Sequence, residues 1–196
     1  MRVVAYGFGM RSPVWRVGAA LAVLVAALAV GGCVDNEPDP TQSPDPSPTP
    51  LFESDEEALA AAEEAYGRYQ AVSDAILMDG GSDPDRLLEV ATDEKLAYED
   101  VGYAEFRAGG LRSTGGSTFD RMTLQNRTDG DDPYVSVYVC DDVTAVDILG
   151  PDGISVVAAS RPDRFARTVE LVPASNENDQ LIVSSIDEWT GENFCE

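Results

Sequence analysis

Apolar positions fall along this chain in three regimes. Residues 17–30, VGAALAVLVAALAV, are apolar without a break. Residues 35–50, DNEPDPTQSPDPSPTP, hold six prolines and no other apolar side chain. From Leu51 onward apolar residues return with a period. Leu59, Ala62, Tyr66, Tyr69, Val72 and Ile76 recur at three- and four-residue steps, which predicts an amphipathic helix over 55–78. Ser54 and Glu57 form a capping box at its start, and Asp79-Gly80-Gly81 ends it. A short helix is expected near Pro84 to Ala91, with Ser82 as its cap. A third helix starts after Thr92, puts Leu96, Tyr103 and Phe106 on one face, and stops at Gly109-Gly110.

After Leu111 the period changes to two. Val135, Val137 and Val139 alternate with Tyr134, Ser136, Tyr138 and Cys140. Strands are expected at Ser117–Arg127, Tyr134–Cys140, Thr144–Leu149, Ser155–Val157, Phe165–Val172 and Leu181–Trp189, separated by TDGDDP, GPDG and SNEND. Helices first and hairpin-linked strands afterwards predict an α+β domain, with the helices packed on an antiparallel sheet.

The unbroken apolar run follows sixteen residues with three arginines and no acid. Fourteen apolar residues fit a signal-peptide core and fall short of the roughly 20 that span a bilayer. Met10 offers a second start, with a more compact basic region, and no twin-arginine pair is present. The run closes on Val30-Gly31-Gly32-Cys33, which resembles the lipobox of bacterial lipoproteins. Small residues beside the scissile bond suit a signal peptidase, because they leave the backbone extended and accessible. The resemblance implies cleavage before Cys33 and a diacylglyceryl group on its thiol, with two acyl chains that anchor the chain to the membrane. An ordinary cleaved signal peptide or an uncleaved anchor helix is the alternative. The expected organisation is a signal peptide at 1–32, a lipidated cysteine and Pro-rich spacer at 33–50, and a folded domain at 51–196. In polyproline II the spacer reaches roughly 50 Å.

If Cys33 is acylated, Cys140 and Cys195 become an even pair in an oxidising compartment. Their bond would tie the C-terminal tail to the end of a strand. The alternative is two free thiols. With Asp141 and Asp142 beside it and no histidine in the chain, Cys140 makes a poor nucleophile.

Composition narrows the chemistry further. The chain has 36 acidic and 13 basic residues; losing the three arginines before Cys33 leaves a net charge of −26. Phosphate backbones and anionic headgroups repel such a chain, so nucleic acid is not an expected partner. The absence of histidine excludes Ser-His-Asp and Cys-His catalysis and His-ligated zinc, and the single lysine, Lys95, is the one candidate for a lysine nucleophile and is expected to be exposed. The carboxylates of DGDDP at 129–133 lack the glycine and closing glutamate of an EF-hand, and read as a solvated turn. No metal or cofactor is expected.

The order of elements over 51–196, together with RPDRFARTVELV at 161–172 and WTGENFC at 189–195, resembles the nuclear-transport-factor-2-like superfamily, which includes SnoaL-like proteins. It is also similar to secreted actinobacterial lipoproteins in which a Pro-rich spacer leads into such a fold. The resemblance implies a cone of helices on a curved sheet that can enclose a pocket. Residues placed near such a pocket are Tyr66, Tyr69, Tyr103, Phe106, Asp120, Tyr138 and Trp189. Catalytic relatives use an Asp base with Tyr partners, roles that would fall to Asp120 and to Tyr103 or Tyr138. Many relatives are non-catalytic. The expectation is therefore a lipid-anchored extracytoplasmic binding module for a small ligand or an envelope protein. An Asp/Tyr enzyme and an assembly module of an export apparatus are the alternatives.

Overall fold

The computed structural model describes residues 50–175 and 177–195, with the side chains of 177–179 outside that description. The expected signal peptide, Cys33 and the spacer up to residue 49 lie outside the described residues. The domain is α+β, with helices first and a curved antiparallel sheet after them.

Helix α1 runs Asp55–Met78, and the Ser54 side chain accepts the Glu57 amide at 3.2 Å while the Glu57 carboxylate accepts the Glu53 amide at 2.7 Å. The first bond is the forward half of a capping box, and the second reaches one residue before the cap, to the Glu53 amide instead of that of Ser54. The second helix is a 3₁₀ turn, Pro84–Glu89, rather than an α-helix. Its cap is Asp83 and not Ser82: Asp83 sits in the left-handed region (φ 53°), outside the extended backbone from which a cap side chain reaches the second and third amides, and makes no side-chain cap bond. Helix α2, Asp93–Gly109, is capped by Thr92 and ends on Gly110 with φ 61°.

Six strands follow: β1 Arg112–Thr114, β2 Thr118–Thr128, β3 Tyr134–Asp142, β4 Asp147–Leu149, β5 Arg164–Ala174 and β6 Glu177–Glu188. β2, β3, β5 and β6 form one sheet in that order, all antiparallel. β1 and β4 form a small second sheet. Register shifts interrupt β2 against β3 and β5 against β6, and such bulges bend a sheet.

Two strand expectations change. Ser155–Val157 is reduced to a single bridge between Leu149 and Ser155, since Ile154 and Val156 are exposed and bury nothing. The expected strand from Thr144 begins only at Asp147. The Asp142 carboxylate accepts the Thr144 amide at 2.9 Å and turns the chain there.

α1 lies across the inner face of the sheet, touching β2, β3 and β6. Ala58, Ala62 and Ala65 let its backbone approach Val135, Val137, Val139, Val169, Leu171 and Val183, which are all buried. The β6 edge is covered: Val183 donates to the Val90 carbonyl at 2.9 Å and accepts the Thr92 amide at 3.0 Å. The outer face carries a second, smaller cluster built on the Cys140–Cys195 disulfide, whose Cα atoms are 5.4 Å apart. Trp189 and Phe194 pack there against Tyr138, with ring centroids 5.0 and 6.0 Å away. Arg121 and Arg164 donate to the Phe194 and Cys195 carbonyls and hold the tail down. No described helix is long and apolar enough to cross a membrane.

Candidate functional site

The second half of α1 turns one face toward the end of the sheet. Tyr66, Tyr69, Gln70, Ser73, Asp74 and Leu77 are spaced so that all lie on that face. Opposite stand Lys95, Tyr98 and Glu99 from the first turns of α2. Asp141 at the end of β3, Ser117 ahead of β2, the 143–146 loop, Arg167 and Ile186 complete a cleft of about 370 Å³ that opens to solvent. This lies within the range of small-molecule sites.

Its floor is a polar network on an aromatic base. The Tyr66 hydroxyl donates to Asp141 Oδ1 at 2.8 Å, and the Gln70 amide donates to the same oxygen at 3.1 Å. Arg167 Nε stands 3.8 Å from Asp141 Oδ2. Tyr66 stacks on Tyr69 (6.0 Å) and meets Phe119 edge-on (5.1 Å). Burial pushes the Asp141 carboxyl above its ordinary value, and the Tyr66 bond and the Arg167 charge oppose that shift without cancelling it. Burial and the neighbouring Asp141 also push the Tyr66 hydroxyl well up, so Tyr66 is a donor at any ordinary pH.

The second wall is organised by the chain's single lysine. Lys95, 4% exposed, donates to Glu99 Oε1 at 2.5 Å, and Tyr69 donates to the same oxygen at 3.0 Å. The Lys95 ammonium also lies 5.7 and 5.2 Å from the ring centroids of Tyr69 and Tyr98. Asp74 Oδ2 accepts the Ser117 amide (2.7 Å) and hydroxyl (2.9 Å), tying α1 to the start of β2. Among the described residues no acidic or sulfur side chains are grouped to hold a metal ion.

The structure divides the residues that the sequence placed near a pocket. Tyr66 and Tyr69 line the cleft. Tyr103 is buried just behind it, sharing a 2.9 Å hydrogen bond with Ser73, and burial raises its hydroxyl to about 12. Phe106 is half-buried against the Gly80-Gly81 turn. Asp120, Tyr138 and Trp189 are elsewhere. Asp120 is exposed and pairs with Arg164 at 2.5 Å, while Tyr138 and Trp189 belong to the outer-face cluster. Asp120 sits opposite Cys140 in the β2–β3 register, so the adjacent Asp141 points to the other face and takes the place beside the tyrosine. Sequence reasoning missed Asp141, Gln70, Asp74, Glu99 and Arg167, and the expected exposure of Lys95 is corrected, since its ammonium is buried against Glu99 and Tyr69. One signal was available: Gln70, Ser73 and Asp74 interrupt the apolar face of α1 at helical spacing.

No family model matches the chain, and no curated protein matches its sequence. Two solved structures are similar in outline. One is the intermembrane space region of the chloroplast protein ARC6, 13% identical, covering 66% of this chain and 95% of that one with a TM-score of 0.47. The other is a periplasmic fragment of TraM, 11% identical, covering 69% of this chain and 96% of that one with a TM-score of 0.43.

Proposed function

We propose that this protein is an extracytoplasmic lipoprotein, anchored by a diacylglyceryl group on Cys33, with a nuclear-transport-factor-2-like domain that binds a small ligand. The observation that carries the binding role is Asp141, fixed by Tyr66 and Gln70 at the floor of the 370 Å³ cleft. A desolvated carboxylate costs stability, and clefts with such groups are where binding sites concentrate. The Cys140–Cys195 disulfide supports export, because reducing cytosol does not sustain such bonds in most organisms. The small residues before Cys33 and the acidic, Pro-rich spacer support a tethered arrangement.

One experiment addresses binding directly. Fragments are screened for thermal stabilisation of the exported chain carrying Cys33→Ser. A subset should raise its melting temperature and lose that effect in Val146→Trp, which fills the cleft from its loop. Fragments that stabilise both proteins equally would place binding elsewhere.

The enzymatic alternative is favoured by the same pair read as chemistry. Asp141 Oδ2 makes no hydrogen bond among the described residues, and a raised carboxyl next to a tyrosine donor suits a general base with an oxyanion partner. Under that reading Asp141→Asn abolishes turnover of a bound ligand and keeps its affinity.

A further inference from the structure

The hydrogen-bond valences left open in the cleft restrict what it can hold. Each of its three carboxylates is tied to the wall through one oxygen only: Asp141 through Oδ1, Glu99 through Oε1 and Asp74 through Oδ2. Among the described residues the second oxygen of each makes no hydrogen bond, and the 3.8 Å approach of Arg167 to Asp141 is too long for one. The two cations are also underused. Lys95 makes one hydrogen bond with its ammonium, and the Arg167 guanidinium makes none among the described residues, stacking instead over Phe165 at 5.1 Å. At the mouth the Tyr98 ring is 74% exposed.

Open acceptors and open donors therefore share one cavity. An anionic ligand would meet three carboxylates inside a chain of formal charge −23. A cationic ligand would be brought against Lys95 and Arg167. Either ion would be desolvated next to a like charge. A hydroxyl group donates once and accepts twice, so it satisfies a carboxylate oxygen and a nearby N–H together without adding charge. An exposed tyrosine offers the negative face of its ring to the C–H side of a sugar.

We propose that the cleft binds a neutral polyhydroxylated ligand, a saccharide unit, whose hydroxyls bridge Asp74, Glu99 and Asp141 to Lys95 and Arg167 while one ring face rests on Tyr98. This assignment rests on the reading of the cleft as a binding site.

The test uses the exported chain carrying Cys33→Ser, labelled with nitrogen-15. Four neutral disaccharides (maltose, cellobiose, trehalose and N,N′-diacetylchitobiose) are titrated in turn, with putrescine and glutarate as the cationic and anionic probes. At least one disaccharide should shift the amides around Ser117, Tyr98 and Asp141 saturably. Asp74→Asn should weaken that binding about tenfold, the effect of one lost charge-assisted hydrogen bond. Tyr98→Ala should weaken it by roughly threefold to tenfold with little change in melting temperature, since the ring is exposed and gives up only its contact with the Lys95 ammonium. If no disaccharide shifts those amides, or Tyr98→Ala leaves the affinity unchanged, the saccharide assignment is overturned. If putrescine or glutarate shifts them instead, the binding role stands and only the ligand class falls. If none of the three classes does so, both fall together.

Discussion

The Tyr66 hydroxyl donates to Asp141 at 2.8 Å across 75 positions of sequence, joining the middle of α1 to the end of β3. The pair closes the floor of the cleft at the point where the sheet ends. It also places a carboxylate in a poorly solvated position with only side-chain donors to hold it.

Removing the hydroxyl should be costly. Tyr66→Phe keeps the packing on Tyr69 and Phe119 and deletes one hydrogen bond to a charged acceptor, a loss of about 1.5–3 kcal/mol. It should also raise the Asp141 carboxyl further, because the Tyr66 bond lowers it. Urea denaturation measures the first effect, and carbon-13 titration of the Asp141 carboxyl measures the second.

Stability should depend on pH through Asp141. Its folded value is raised by burial, so the folded chain holds that proton more tightly than the unfolded chain. The associated stability is full below the ordinary carboxylate range and is lost as pH rises through the folded value. Asp142 acts in the opposite sense. Bonds from Thr144 and Arg164 hold it low, so its contribution is present above the ordinary value and lost as pH falls. The stability of wild type minus that of Asp141→Asn should therefore decline as pH rises from below the ordinary carboxylate value through the raised folded one. A flat difference would show that Asp141 is not desolvated.

Reducing or deleting the disulfide should loosen the outer face. The bond closes a loop of 55 residues, which the chain-entropy model values at about 4 kcal/mol. Cys140→Ser with Cys195→Ser should lower stability by about 2–4 kcal/mol and red-shift Trp189 fluorescence as the tail lifts from Tyr138. Intact mass should rise by two hydrogens when the wild type is reduced and stay constant in the double variant.

Gly115 is held with φ +74° against the Ala145 carbonyl, at the join between β1 and β2. A side chain there meets backbone rather than a movable neighbour. Gly115→Ala should destabilise the domain by more than about 1 kcal/mol, and Gly130→Ala, with φ +108° but open space around it, by less. Equal melting temperatures for the two variants would contradict this packing.

Lipid attachment has its own measurement. A radiolabelled fatty acid should be incorporated into the exported wild type and not into Cys33→Ser, which should leave the membrane fraction for the soluble one. Equal labelling of both proteins would refute the anchor.

Local signals made α1 legible at both ends. Its caps and the 3.6-residue spacing of its apolar face lie within a few residues of one another. The period of two likewise marked the four strands of the main sheet to within a few residues, and the alternation around Val135, Val137 and Val139 assigned their buried face. β1 was invisible, because three residues carry no period. The acidic composition and the missing histidine limited the chemistry before any contact was known.

The site was a different matter. Asp120 and Asp141 both sit beside a phenylalanine or cysteine in strands, and nothing local separates them. Their roles were decided by the β2–β3 register and by the bend of the sheet, which send Asp120 to Arg164 at the surface and Asp141 to Tyr66 in the cleft. Periodicity specifies which side of an element faces inward. Which distant side chains then meet, and which of 36 carboxylates loses its water, follows only from how the helices and the curved sheet close on each other.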